Sequence, residues 1–349
     1  MREEFIRRAL ETHANLTLEM ASNIFEMIAG FSGYGFLLSH SVAFAISAAH
    51  TAYLKALHPA AFLAAVLEHA PGMYPRLTIT QEAKKLGIPV LPVFLEVSET
   101  RFKLERVNDI LSVCLPFTAI EGVSETAARV IVLERDRKAF TDLEDAYKRL
   151  PLPRDTLEAL VKANALEAFG TRRDVLWALG MLEGKGLPRS EVMQAQLFNL
   201  PAISDDDLAW LEDLDEHEMV AWDLHSTRTS LETHPLALLR PMLNAAGIKP
   251  SNRVHHGQQC AVAGLVIARQ RPETARGIVF LFLEDEFGHM QGIIQAELWD
   301  ALRSTLRSRA LVVQGRVQRL RGWKTMVVES VVPITALAAK ESEMAYFVR

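Results

Sequence analysis

The chain has 349 residues, 49% hydrophobic and 23% charged, with a formal net charge of −5. That length suits two or three soluble domains, and so mild a balance argues against polyanion binding over the whole surface. The charge is uneven, however. Residues 201–235 carry ten acids against one base, Arg228, whereas residues 251–349 carry thirteen bases against nine acids. A basic C-terminal module therefore stands beside an acidic connector. Two cysteines, Cys114 and Cys260, lie far apart and outside any metal-ligand spacing, as expected of small buried thiols in a reducing compartment. The start, Met1-Arg2-Glu3-Glu4-Phe5, has no apolar signal core. The most apolar stretch, Val42 to Leu67, is interrupted by His50, Lys55, His58 and Pro59, which a membrane helix would not carry at its middle. The expectation is a cytoplasmic protein with no membrane partner.

The predicted elements begin with helices. Phe5, Ala9 and Leu10 share one helical face, and Leu16, Met20, Ile24, Phe25, Ile28 and Ala29 continue the period after Asn15. Gly30, Gly33 and Gly35 are expected to end that helix. An alanine-rich helix follows from about Ser39 to Leu57, its Ala43, Ala45, Ala48, Ala49 and Ala52 forming a small-residue packing face, and Pro59 starts a short fourth. Ile88 to Val93 is short and β-prone. Phe102–Glu105 and Ile110–Val113 predict a strand pair around a turn at Val107-Asn108-Asp109.

Residues 115–180 return to helical spacing. Ile120-Glu121-Gly122-Val123-Ser124, followed by Thr126 to Ile131, has the form of a helix-hairpin-helix turn, in which backbone N–H groups at a helix N-terminus approach a phosphate. Serine stands at 124 where the motif usually has a second glycine. Ser124 suits a helix cap, and single-glycine turns also join many ordinary helix pairs. Leu152 to Phe169 reads as a second hairpin. Residues 181–257 form a connector with the acidic run Asp205-Asp206-Asp207.

From about 258 to 335 the pattern is three strands, a helix and two more strands: Val262–Arg269, Ile278–Glu284, Met290–Ala296, helical spacing over Leu298–Leu306, then Leu311–Leu320 and Thr325–Val332. That is the order of a five-stranded OB-type barrel. Such barrels hold single strands with a cationic groove and aromatic platforms. Arg269, Arg271 and Arg276 flank the first loop, and Arg319, Arg321, Trp323 and Lys324 occupy the last. Phe280 and Phe282 share one face of the second strand, as core or as platform. Glu284-Asp285-Glu286, at the end of that strand, is expected to be solvated. The fold class is multidomain α+β: a mostly helical N-terminal two thirds followed by the barrel.

Several stretches together resemble one family, the bacterial C-family DNA polymerases, comprising the polymerase III alpha subunit and its error-prone, damage-tolerant paralogue. They are Phe31-Ser32-Gly33-Tyr34-Gly35-Phe36 with Ser39-His40; Thr51-Ala52-Tyr53-Leu54-Lys55 with His58-Pro59; Leu86-Gly87-Ile88; the turn at Gly122; Thr233-His234-Pro235-Leu236; and Gly264-Leu265-Val266 with Arg269-Gln270-Arg271-Pro272. The last two look most like the error-prone branch. The resemblance runs from near Met1 to about Pro333. It implies that residues 1–112 correspond to the end of the fingers, with Ser39 and His40 as remnants, 113–180 to tandem helix-hairpin-helix motifs, 258–335 to the OB domain and 336–349 to a tail. It also implies roles in DNA replication and repair.

The family's catalytic palm lies upstream of anything matched here. Phosphoryl transfer needs carboxylates holding metal ions, so no catalytic or metal-ligating residue is expected in this chain, and Mg²⁺ only in a complete polymerase. The nucleotidyltransferase activity of the family is therefore not expected of this chain alone. Where the family carries a polar pair ending in lysine just before Ser39, this chain has Leu37-Leu38. Gln194-Ala195-Gln196-Leu197-Phe198 has the form of a sliding-clamp-binding pentapeptide, with Gln194 fixing register and Leu197 and Phe198 filling an apolar pocket. The expected partners are single-stranded or template DNA, the sliding clamp, and a separately encoded catalytic part. A non-catalytic clamp- and single-strand-binding adaptor is the alternative.

Overall fold

The computed structural model describes residues 2–13, 15–32, 38–70, 72–184, 213–320 and 323–337. The chain divides into two units, Met1–Pro59 and Ala60–Arg349. The first holds α1 (Arg2–Thr12), α2 (Leu18–Ser32) and α3 (Leu38–Leu57). Phe5 meets Phe25 with ring centroids 5.5 Å apart, so the expected apolar faces of α1 and α2 do find each other. The α2 helix runs through Gly30, since one glycine costs a helix only ~1 kcal/mol relative to alanine, and ends at Ser32; Gly33 and Gly35 lie outside the described residues. The alanine face of α3 is not packed, since none of that helix's residues is buried.

The second unit starts with α4 (Pro59–His69) and α5 (Arg76–Lys85), then a small sheet in the order β1 (Val90–Leu91), β3 (Ile110–Cys114), β2 (Lys103–Val107). Asn108 and Asp109 both have positive φ, 49° and 63°. These are the residue types that tolerate a two-residue primed turn, whose twist matches the strands it joins. Ala60, Leu63, Ala64 and Leu67 of α4 pack with Ile88 and Val113. The thiol of Cys114 is buried and its pKa is raised, chiefly by desolvation.

Four helices follow: α6 (Glu125–Arg137), α7 (Leu143–Arg149), α8 (Arg154–Lys162) and α9 (Arg172–Gly184). They close over a core that includes Phe117, Ile120, Ile131, Leu150, Leu160 and Leu182. Between α8 and α9, Asn164 turns the chain with φ 60°; the expected second hairpin over Leu152–Phe169 holds α8 and a 3-10 turn, Glu167–Phe169, while the next helix starts only at Arg172. The turn at Gly122 differs: only a 3-10 turn, Phe117–Ala119, precedes it, with α6 after it.

The acidic connector is more than a linker where it is described. Asp215 caps α10 (Glu216–Thr227) in a reciprocal capping box with Glu218, which satisfies two otherwise orphaned N–H groups. Pro235 begins α11 (Pro235–Ala245). Val220 of α10 and Leu236, Leu239 and Leu243 of α11 pack with Ala263, Ala310, Val312 and Ile334, forming a core against one outer side of the barrel.

The barrel itself is closed, in the order β4 (Gln259–Gln270), β5 (Val279–Asp285), β6 (Gly288–Ile294), β8 (Trp323–Pro333), β7 (Ala310–Leu320), with only β6 and β8 parallel. This is the OB strand order, with a short helix, α12 (Trp299–Leu302), between the third and fourth strands. Alternation along β5 is clear: Val279, Leu281 and Leu283 are buried inside, whereas Phe280 and Phe282 are half-buried on the other face. Leu281 is fully buried with Leu311, Val313, Met326 and Val328, and truncation of such a leucine to alanine costs about 2–5 kcal/mol. The bulge at Gln314/Gly315 bends β7. A Cβ at Gly315 would run into the carbonyl of Val327, so only glycine permits that approach.

Candidate nucleic-acid interface

One outer side of the barrel, along β4 and β7, lies under α10 and α11. The outward residues at the other end of β4, β5 and β6, namely Gln270, Phe280, Phe282, Gln291 and Ile293, are half-buried. Phe280 stands opposite Gln270 and Ile293, and Phe282 opposite Ala268 and Gln291. Both phenylalanines are therefore on the outer face rather than in the barrel core. Two half-buried rings at i and i+2 on one strand face lie about 7 Å apart along it, and a single strand's bases stack on rings so spaced.

The loop between β4 and β5 borders this face. Arg271 and Arg276 are exposed. Arg276 has φ 50°, and the Arg271 guanidinium lies 4.7 Å from the Trp299 ring centroid. That stacking presents a planar cation at the edge of the aromatic face. Arg269 is turned aside: its Nη2 donates to the Ser308 carbonyl at 2.6 Å, and burial lowers its pKa.

On the β7–β8 side, Arg319 is exposed and its backbone N–H donates to His256 Nδ1 at 3.1 Å. Lys324 Nζ donates to the carbonyls of Ser251 and Asn252, each at 3.1 Å, which holds its charge at the loop's base. Arg321 lies outside the described residues, and of Trp323 only the backbone is described, as the first residue of β8. Gln194, Leu197 and Phe198, the clamp-type pentapeptide, also lie outside them, as do Asp205–Asp207. In the first unit Ser39 and His40 are exposed in the first turn of α3, and the His40 ring meets Phe44 at 4.5 Å.

At the hairpin turn, Gly122 has φ 90°, the left-handed region that favours glycine. The Ser124 hydroxyl accepts from the Ala127 N–H at 3.1 Å, capping α6. That bond occupies a donor a phosphate would otherwise use, and Glu125 follows immediately. The turn is also pinned: Glu121 N–H donates to Ser226 O at 2.7 Å, and Thr156 Oγ1 donates to Gly122 O at 3.4 Å.

The acids at the end of β5 are not solvated as expected. Glu284 and Asp285 are 1% and 3% exposed. Asp285 accepts from the Ser251 amide and hydroxyl, both at 2.6 Å, and from the amides of Phe287 and Gly288. Glu286 pairs with Arg240 at 2.5 Å. A buried carboxylate must be matched by donors, and here two of them, Ser251 and Arg240, come from segments more than thirty residues away, so sequence position gave no warning. These acids tie α11 and the 251 turn to the barrel.

The fold is that of a helical hairpin module joined through packed helices to an OB-type barrel, a class of architecture built from nucleic-acid-binding modules. A family model described as a helix-hairpin-helix motif matches residues 87–176. The chain is 35% identical to an error-prone DNA polymerase of Teredinibacter turnerae over 91% of its own length and 30% of the relative's. It is 33% identical to one of Bordetella parapertussis over 94% of its length and 31% of the relative's, and 31% identical to one of Corynebacterium efficiens over 96% and 30%. A solved structure, asparaginyl-tRNA synthetase from Pyrococcus horikoshii, aligns with 23% of this chain and 20% of its own at 22% identity and a TM-score of 0.20, a likeness too small to bear on the fold. The chain is thus similar, over about nine tenths of its own length, to proteins described as error-prone DNA polymerases. It spans about three tenths of the length of the curated relatives it matches. Among the described residues no helix is long and apolar enough to cross a membrane.

Proposed function

We propose that this chain is the DNA-gripping part of an error-prone C-family polymerase, one that holds single-stranded template and has no catalytic palm of its own. The observation that carries the reading is the outward pair Phe280 and Phe282 beside the exposed Arg271 and Arg276, on a barrel whose order is that of single-strand-binding modules. The helix-hairpin-helix match over residues 87–176 supports it. So does the engagement of Glu284, Asp285 and Glu286 in structural hydrogen bonds and ion pairs, which leaves them unsuited to hold catalytic metal ions. Mg²⁺ would act only in a complete polymerase.

The decisive experiment pairs two measurements on the purified chain. Fluorescence anisotropy with labelled oligo-dT should show binding that weakens steeply with salt, because displaced counterions drive association. Primer extension with Mg²⁺ and all four nucleotides should show no incorporation. Incorporation would refute the reading, and so would a preference for tRNA over single-stranded DNA.

The adaptor reading rests on Gln194, Leu197 and Phe198. It requires that changing Gln194 and Phe198 to alanine abolish capture by a bacterial sliding clamp while oligo-dT binding persists.

A further inference from the structure

A cleft of about 1460 Å³ opens between α5, α8, α10 and the outer side of β4. It exceeds the ~300–1,000 Å³ of a small-molecule pocket. Its walls carry Arg76, Lys162, Arg228 and Arg309, with Tyr74 and Trp222 between them. Arg269, turned away from the loop it follows, also borders it. The carboxylate in its lining, Glu284, is already engaged by Thr78 and His289. The cations are thus in large excess.

Their partners are few. Among the described residues the Arg309 side chain makes no hydrogen bond or ion pair, its carbonyl accepting from the Val266 amide; Lys162 pairs with Glu158 at 3.8 Å, and Arg228 has only Glu121, at 3.1 Å with both side chains half-exposed. Arg76 donates to the carbonyls of Ala119 and Thr227, which are neutral acceptors. Burial lowers its pKa, with Glu121 opposing and the neighbouring Arg228 adding to the shift. Arg76 and Arg228 therefore line the cleft with one carboxylate, Glu121, near both, and the remaining positive charge favours an anion there.

The cleft adjoins the aromatic face. Phe280, Phe282 and Glu284 are successive outward positions of β5, so the cleft begins about 7 Å beyond Phe282 along one strand. Met73 Sδ accepts from Gln270 Nε2 at 3.4 Å, and Gln270 stands opposite Phe280. The Met73-Tyr74 segment therefore leans on the edge of the platform, with Tyr74 61% exposed.

We propose that the cleft is a second single-strand site, continuous with the aromatic face of the barrel, in which phosphodiester groups meet Arg76, Arg228 and Arg309 and bases lie against Tyr74 and Trp222. It rests on the reading of the chain as a single-strand binder and adds a path for the strand beyond the barrel.

The test uses the whole chain with labelled oligo-dT of ~4 nucleotides, the low end of an OB footprint, and of ~12 nucleotides. The Arg228→Asn/Arg309→Gln double variant keeps a residue that tolerates the left-handed backbone of Arg228, and its melting temperature checks the fold. It should bind the ~12-mer about tenfold more weakly, with a salt slope shallower by about 1.4 for two lost phosphate contacts, and bind the ~4-mer as the unmodified chain does. Lys162→Gln, on a different element, should show the same length dependence more weakly. Equal loss for both lengths, or no loss for either, would overturn the proposal, as would competition by dTTP or inorganic phosphate that matches the ~12-mer per phosphate. Phe282→Ala separates the two readings. It should weaken both lengths, and if it weakens neither, the barrel reading fails while the length dependence of the arginine variants still decides the cleft.

Discussion

The Thr78 hydroxyl donates to Glu284 Oε2 at 2.5 Å, joining helix α5 to barrel strand β5 across 206 residues of sequence. Both groups are buried. The same helix holds the connector, through Thr80 and Thr229, whose hydroxyl oxygens lie 2.7 Å apart, and through Lys84 Nζ donating to Glu232 O at 2.9 Å. Helix α5 is therefore the joint at which the hairpin module, the connector and the barrel meet.

Thr78→Val keeps the shape and removes the donor, leaving a buried carboxylate short of a partner. The expected cost is about 1–3 kcal/mol, read as a lowered urea midpoint with an unchanged slope. Affinity for a ~4-nucleotide oligo-dT should not change, because Thr78 does not reach the aromatic face of β5.

Phe280→Ala and Phe282→Ala remove outward rings that contribute little to the barrel core. Each should weaken single-strand binding by about 1–3 kcal/mol if a base stacks there, while the melting temperature moves by only a degree or two. Trp323→Ala is expected to act likewise, from its place between Arg321 and Lys324 in the sequence. A large loss of stability with unchanged affinity would mark these rings as structural.

At the hairpin turn, Ser124→Ala removes the cap on α6 and should cost about 1 kcal/mol. Gly122→Ala places a side chain at φ 90° and should destabilise by about 1 kcal/mol or more. A Cβ there would meet Ala159 Cβ at an ordinary 3.5 Å, so the strain is in the backbone rather than in packing. If the turn also grips a phosphate, Gly122→Ala will weaken duplex binding beyond what the loss of stability explains, as a titration well below the melting temperature would show.

His234 supplies a pH dependence. Its Nδ1 accepts from the Leu236 amide at 3.1 Å, and its buried Nε2 has no partner among the described residues. Glu284, Asp285, Glu286 and Lys85 surround it. Burial lowers its pKa below the ordinary value, outweighing the three carboxylates. The fold keeps this histidine neutral while the unfolded chain takes up a proton near pH 6.5. Its contribution to stability is thus complete above that pH and falls as pH drops through and below it. His234→Asn, which retains an acceptor for the Leu236 amide, should flatten stability between about pH 7 and pH 5 in denaturant titrations.

Much of this molecule was legible in the residues themselves. The period-2 alternation of Val279 to Leu283, the Asn108-Asp109 turn and the Ser124 cap are local properties. Each depends on a few neighbouring side chains and on φ values those residue types accept, so the strands, the hairpin and the strand–helix order of the barrel followed from sequence. Other features required the fold. Alternation puts Phe280 and Phe282 on the face opposite Leu281, but which face turns outward depends on closure of the barrel by β7 and β8. The acids after β5 look like a solvated turn until Ser251 and Arg240 arrive from distant segments. The connector looked like a linker because the partners of Leu236, Leu239 and Leu243 lie on β4 and β7. The cleft belongs to no single element. Its arginines come from helices and loops more than two hundred residues apart, and only tertiary packing brings their charges close enough to act together.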